Sequence, residues 1–239
     1  MVKVKIIRAV FISLTVSLIV FGGCISAFAM NTGFSTEEMN SEEQHTFLSN
    51  INLTLISDEP QKSTFTCFDV SESGQVVIGF ANAQKKYISV YDATGGFQYG
   101  YVFNCNQSFG VQWDSANLII YFVRSDVAAS FDSNGANVEL RTIEDTAYNN
   151  SYWTRCVFSK EKMIDTNRYT AKNNMGILNI FASSYSQLLK TDSNGNETII
   201  YDAGTTHMLQ TVLFIIAVLI FAALVTALVI RQFLRAKRQ

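Results

Sequence analysis

Three copies of one short turn sequence constrain the fold of this chain more than any other feature. Asp92-Ala-Thr-Gly95, Asp132-Ser-Asn-Gly135 and Asp192-Ser-Asn-Gly195 each separate two runs in which apolar residues tend to alternate with polar ones. Alternation with a period of two is typical of β-strands. An Asp at the first position of a turn accepts hydrogen bonds from the backbone that follows it, and the Gly supplies the positive φ that other residues resist. Each copy therefore predicts a β-hairpin.

Two further strand-like segments precede each hairpin in the sequence. Together, the four segments of each unit predict a four-stranded antiparallel meander, and the chain contains three such units. The units cover about residues 65–103, 108–143 and 168–201. Because one meander cannot bury both of its faces alone, neighbouring units must cover each other. The second strand of each unit should then be buried, and it contains Phe80, Tyr121, Phe122 and Phe181. The predicted fold class is mainly β, with about three repeated meanders.

The strands that end in Asp and enter a turn closed by Gly resemble the NHL and YncE-like repeats of β-propellers. The resemblance covers about residues 65–202 and implies blades within a propeller-like ectodomain at 65–205, but it implies little about activity. Three units fall short of the about four to eight blades that close a ring. A degenerate fourth blade from 51–56 and 144–163, an open array and a dimer that pools six blades all remain open. The layout is also similar to that of membrane-anchored bacterial proteins, which implies no particular activity.

The C-terminal part of the chain predicts a membrane anchor. Residues 208–230 contain no charged side chain, and a helix of that length crosses the hydrocarbon core of a bilayer. The tail 231–239 that follows is basic, with Arg231, Arg235, Lys237 and Arg238, and it contains no acidic residue. Basic flanks stay in the cytosol. The sequence therefore predicts a single-pass protein of the plasma membrane with a cytoplasmic C-terminus.

Residues 1–29 predict a signal peptide or an N-terminal membrane anchor. Lys3, Lys5 and Arg8 precede an apolar stretch, and Ala27-Phe28-Ala29 fits a cleavage site before Met30. An uncleaved anchor and lipidation of Cys24 are the two alternatives. All three place the middle of the chain outside the cell.

The segment 30–64 is expected to form a polar stalk followed by a first strand at 51–56. A short helix at about 36–49 is the alternative for its first half, because Ser35 and Glu38 have the spacing of a capping box.

The insert at 144–163 interrupts the period between the second and third units. Insertions into repeats usually form surface loops. This one contains Tyr148, Tyr152, Trp153 and Arg155, which are residue types enriched at protein interfaces. The insert is therefore the candidate contact site for a protein partner. The alternative is that Tyr152 and Trp153 fill the gap left by a missing blade.

Charge excludes one class of partner for the middle of the chain. Seven of the 18 basic residues lie in the two ends, whereas all 20 acidic residues lie in the middle. Nucleic-acid binding requires a basic face. The expected partners are the lipid bilayer and either another protein or a second copy of the chain.

No set of catalytic residues is recognisable in the sequence. His45 and His207 are the only histidines, and they lie in the polar segment and beside the apolar run. The Asp192 turn alternates oxygen-bearing side chains as calcium loops do, but it lacks the Gly at the sixth position and the Glu at the twelfth, and turn chemistry explains all three Asp turns. Cys67 and Cys105 are either a disulfide or free, and Cys156 is left over. We therefore expect no enzyme activity, no cofactor and no metal.

Three hypotheses for function follow. The first is a membrane-anchored β ectodomain that binds or scaffolds other molecules outside the cell. The second is an envelope sensor or accessory subunit that signals through a membrane partner, and the third is an extracellular hydrolase.

Overall fold

The computed structural model describes residues 30–82, 85–173, 184–204 and 212–226. The chain divides into two compact units, Met1–Asn31 and Thr32–Gln239. Every helix and strand of the described residues belongs to the second unit.

In chain order, the elements of the described residues before the apolar run are β1 (Thr36–Glu38), α1 (Ser41–Ile51), β2 (Thr54–Ile56), β3 (Phe65–Val70), β4 (Val76–Asn82), β5 (Lys85–Tyr91), β6 (Phe97–Asn104), β7 (Phe109–Asp114), β8 (Asn117–Phe122), β9 (Val127–Phe131), β10 (Asn137–Ile143), α2 (Ala147–Tyr152), a π-helical turn (Trp153–Val157), β11 (Glu161–Ile164), β12 (Asn167–Lys172), β13 (Gln187–Thr191) and β14 (Glu197–Asp202).

These strands form three antiparallel sheets, which confirms the mainly β fold. The first sheet has the order β2-β6-β5-β4-β3, the second β1-β10-β9-β8-β7 and the third β11-β12-β13-β14. Each contains a meander of four consecutive strands. In the first two sheets the N-terminal segment adds a fifth strand, β2 beside β6 and β1 beside β10.

The three Asp turns are hairpin turns, as predicted. In each, one carboxylate oxygen accepts the backbone N–H groups two and four residues later, as Asp132 does from Asn134 at 2.9 Å and Ala136 at 2.8 Å. Gly95, Gly135 and Gly195 all have positive φ. Since N–H donors stabilise the charged form of a carboxylate, they hold the pKa of Asp132 below its usual range.

The first sheet lies between the other two and has a hydrophobic core on each side. Its face that contains Val77 and Val90 packs against Ile120 and Phe131 of the second sheet, forming the first core. Its opposite face, which contains Ile78 and Phe80, packs against Tyr169 and Leu188 of the third sheet and forms the second core. Because alternate residues of a strand point to opposite faces, a strand that is covered on both sides is buried at successive positions, as β4 is from Val76 to Phe80. The predicted burial of Phe80, Tyr121 and Phe122 is confirmed.

The third meander begins earlier in the sequence than we predicted. Its first strand is β11, at the end of the predicted insert, and β12 is its second strand, not its first. The two are joined at Asp165, a non-glycine residue with a positive φ of 52°. The strand expected to contain Phe181 lies outside the described residues. The prediction failed because a tight turn at Asp165 has no glycine to reveal it.

The segment predicted as a solvated stalk is part of the folded unit. The chain around Thr36 forms β1 instead of the start of a helix, and α1 begins after the cap residue Asn40, whose side chain accepts from the backbone of Glu43 at 2.9 Å. Ile51 is buried in the first core, and Phe47 packs against it. The expectation of a stalk was wrong because the few apolar residues of this polar segment pack against the sheets, Phe47 and Ile51 from α1 and Phe34 from the residues before β1.

The membrane predictions fall largely outside the described residues. Residues 1–29 and 231–239 are not among them. Of the apolar run 208–230, the structure describes residues 212–226, which are helical. Within the described ranges, no helix meets the length and hydrophobicity that a membrane crossing requires. The described part of the second unit also shows no closed ring of sheets.

Candidate functional site

The insert forms a short helical segment that is anchored by one buried side chain. Thr146 caps α2, since its Oγ1 accepts from the backbone N–H of Asn149 at 3.1 Å. Asn149 is 1% exposed. Its Nδ2 donates to the carbonyls of Ser35 at 3.0 Å and Glu144 at 2.7 Å, and its Oδ1 accepts from the Ser35 N–H at 3.0 Å. Asn149 thereby fixes the segment to the residue just before β1.

Two of the four predicted contact residues point inward. The rings of Tyr152 and Trp153 both lie 4.6 Å from the ring of Phe34, which also contacts Tyr121 at 5.0 Å. Tyr121 is on the face of β8 that points away from the first sheet. The segment therefore covers the outer face of the second sheet, as the gap-filling alternative requires of Tyr152 and Trp153.

Hydrogen bonds fix these aromatic side chains in place. The hydroxyls of Tyr152 and Tyr121 donate to the same acceptor, Gln112 Oε1, at 3.1 and 2.8 Å. Burial raises the pKa of both phenols. A Cβ added at Gly33 would overlap the Tyr152 ring, so only glycine fits there. We call Phe34, Tyr121, Tyr152 and Trp153 the aromatic lock.

The other two predicted residues remain at the surface. The side chain of Tyr148 is 56% exposed, and Arg155 is also exposed. The Tyr148 ring lies 6.4 Å from that of Tyr152, so its inner side is supported by the aromatic lock. We call Tyr148 and Arg155 the 148/155 surface. An aromatic ring and a guanidinium on a fixed segment are the chemistry that protein interfaces favour.

Beneath this segment, one carboxylate links the first strands of all three meanders. Asp69 of β3 pairs with Lys162 of β11 at 3.1 Å and accepts from the backbone N–H of Trp113 in β7 at 2.8 Å. Lys162 also donates to the carbonyl of Cys156 at 2.7 Å. Sequence reasoning missed this link. Its signal was an Asp inside the apolar strand FTCFDV, since a buried carboxylate needs a partner.

The Asp192 turn has the same contacts as its two counterparts. Its carboxylate accepts from the backbone of Asn194 at 2.8 Å and of Asn196 at 2.9 Å. These bonds account for the motif without a calcium ion. Across the described residues, no group of three or more His, Cys, Asp or Glu side chains is arranged to hold a metal. Cys67, Cys105 and Cys156 are free thiols, so the disulfide alternative is wrong.

A concave surface lies between α1 and the second sheet. It has a volume of about 600 Å³, and its lining includes Glu42, Glu43, Phe47 and Thr142. Its carboxylates match the acidic character of the middle of the chain.

Neither a family model nor a curated protein sequence matches this chain. Hypotheses about its function therefore depend on its own surfaces.

Proposed function

We propose that this protein is a single-pass membrane protein that displays a propeller-like β ectodomain outside the cell and binds a protein partner there. The apolar run 208–230 serves as the anchor, and the basic tail remains in the cytosol. Residues 65–205 are the displayed domain. The three meanders, stacked with their first strands β3, β7 and β11 close together, support the propeller-like description.

The observation that carries the proposal is that two aromatic side chains of the insert are packed against the domain, whereas two other side chains of the insert are exposed. Tyr152 and Trp153 are held by Phe34, while Tyr148 and Arg155 of the same segment face solvent. Because Asn149 fixes the backbone that carries both exposed side chains, the backbone itself needs little further ordering upon binding. A partner with an acidic or hydrogen-bond-accepting group fits Arg155, and one with apolar surface fits Tyr148.

Site-specific photo-crosslinking in intact cells tests this contact. A photoreactive phenylalanine analogue replaces Tyr148 in one variant and Met163 in a matched control. Met163 is similarly exposed, at 58%, but lies on β11. We expect a defined adduct from position 148 that is lost when Arg155→Ala is added, and none from position 163.

External protease on the same cells tests the display. We expect cleavage within residues 65–205 without lysis. Equal adducts from both positions, or no adduct at 148, would contradict the proposed contact, and protection of the domain would contradict the topology. Turnover of a glycan or peptide panel by the purified protein would support the hydrolase hypothesis instead.

A further inference from the structure

The fourth strands of the three meanders differ in whether another strand pairs with their outer edge. β6 is covered by β2, with Leu55 opposite Tyr101, and β10 is covered by β1, with Glu37 opposite Thr142. Both added strands are antiparallel and three residues long. In the third sheet, β14 is the edge strand within the described residues and pairs with β13 alone. An edge strand offers unpaired backbone N–H and C=O groups to another strand.

A second feature shows that β14 is the counterpart of β6. The Asp132 turn lies on the first sheet where β2 joins it, since a Cβ at Gly135 would be 3.5 Å from the Tyr101 ring and 3.8 Å from Leu55. The Asp92 turn lies on the third sheet, where it approaches the backbone of β14 and not side chains. A Cβ at Gly95 would be 2.8 Å from the carbonyl oxygen of Ile200 in β14. In both cases the Asp turn of a neighbouring sheet lies against the fourth strand of a meander, β6 or β14.

We propose that the edge of β14 that has no strand beside it within the described residues binds an extended peptide segment of a partner protein as an antiparallel fifth strand. This mode of recognition obtains affinity from backbone hydrogen bonds and specificity from side chains. The surface is distinct from the 148/155 surface, and it stands whether or not that surface binds a partner.

The side chains around the edge indicate the chemistry of the segment. Glu197 and Asp202 stand at the two ends of β14, and Asp92 lies in the turn above it. Glu197 is 3.4 Å from Lys172, an exposed pair, so Asp202 and Asp92 carry most of the negative charge that a partner meets. Lys62, which lies over the Tyr201 ring, is itself paired with Glu59 at 3.3 Å. A strand with basic residues at its ends complements these carboxylates. Between them, Ile199 is 53% exposed and favours an apolar or β-branched residue opposite it.

The same charges disfavour a second copy of β14 as the occupant. Antiparallel self-pairing centred on Ile199 and Ile200 would set Glu197 of one copy opposite Asp202 of the other. Like charges directly opposite each other destabilise a strand pair.

Peptide binding to the full chain in detergent micelles tests the proposal. The probe is a fluorescent peptide with the Thr-Leu-Ile sequence of β2 between paired lysines, and its control carries glutamates in place of the lysines. We expect the lysine peptide to bind at least about tenfold more tightly, with an affinity that falls as salt is added. Hydrogen exchange should show new protection in residues 197–202.

A matched pair of variants assigns the site. Ile199→Lys adds a charge that blocks strand addition and repels the probe, so we expect at least about a tenfold loss of affinity. Val138→Lys makes the same change on β10 at a position that is 50% exposed and outside the β1 pairing, and it should leave binding unchanged. Circular dichroism checks that both variants fold.

Three results would overturn the proposal. One is equal binding of the lysine peptide to both variants, and another is no binding to the parent chain. The third is a dimer that Ile199→Lys dissociates, which would make a second copy the occupant.

Discussion

The two outer faces of the three-sheet stack end in different ways. The face of the second sheet is closed by the aromatic lock. On the third sheet, the outer face carries two exposed ion pairs, with Arg168 3.4 Å from Glu161 and Lys172 3.4 Å from Glu197. It also carries the apolar side chains of Met163 and Ile199, which are 58% and 53% exposed. Charged side chains on the outer face of a terminal repeat reduce the need for a further repeat to cover it. Within the described residues, one end of the stack is therefore closed by aromatic packing, whereas the other is solvated.

The largest expected difference between the two ends is in core stability. Phe34 is 5% exposed and contacts three rings of the aromatic lock. Phe34→Ala should therefore lower the free energy of unfolding by about 3 kcal/mol. Denaturant unfolding of the full chain in micelles, followed by tryptophan fluorescence, measures the loss.

Ile199→Thr is the control at the other end. It keeps a β-branched side chain at an exposed site of the third sheet, so the change should stay within about 0.5 kcal/mol. Equal losses in the free energy of unfolding from both variants would show that the outer face of the third sheet is covered as firmly as that of the second. The proposed difference between the two ends would then be wrong.

An intermediate difference is expected between two equivalent turn glycines. Gly95 and Gly195 have φ of 89° and 83°, so alanine at either position costs about 1 kcal/mol of backbone strain. At Gly95 the new Cβ would also press on the Ile200 carbonyl, whereas nothing lies within 4 Å of a Cβ at Gly195. Gly95→Ala should therefore cost about 2–3 kcal/mol in total. Thermal unfolding compares the pair, and a Gly195→Ala loss as large as that of Gly95→Ala would argue against a free Asp192 turn.

The smallest difference is expected from the turn carboxylates. Hydrogen bonds, chiefly from the Asn196 side chain and the Ala136 backbone respectively, hold the pKa of Asp192 and of Asp132 below their usual range. Since the folded-state pKa is lower than the unfolded one, the stabilisation is present above about pH 4 and is lost as the pH falls through the folded-state value. Asp132→Asn and Asp192→Asn should flatten the acid limb of the stability curve equally. Melting temperatures between pH 2 and pH 6 measure this, and an effect at Asp132 alone would mean that the bonds depend on contact with a neighbouring sheet.

The sequence predicted those parts of the fold that depend on local chemistry. The hairpins at Asp92, Asp132 and Asp192 were recognisable because Asp and Gly both serve the turn itself. The link through Asp69 and the anchor through Asn149 were not, since each connects residues far apart in the chain. The same holds for β1, whose polar residues Thr36–Glu38 become a strand only because β10 is beside them.

Of the candidate site, the sequence identified the segment but not the orientation of its side chains. Tyr148, Tyr152, Trp153 and Arg155 all belong to the insert, yet their composition alone does not tell which face Phe34 covers. That face is decided by the Asn149 contacts and by Gly33, which leaves room for Tyr152.

The burial of Asn149 also bears on how the protein is made. Asn149-Asn-Ser151 is an acceptor sequence for N-linked carbohydrate, as is the exposed Asn106-Gln-Ser108. In the folded protein no sugar fits on an Nδ2 that donates to two carbonyls inside the structure. A eukaryotic secretory host, however, can attach the glycan to the growing chain before α2 forms. Carbohydrate at this position would then prevent the insert from docking, whereas Ser151→Ala removes the acceptor sequence and leaves the buried amide intact.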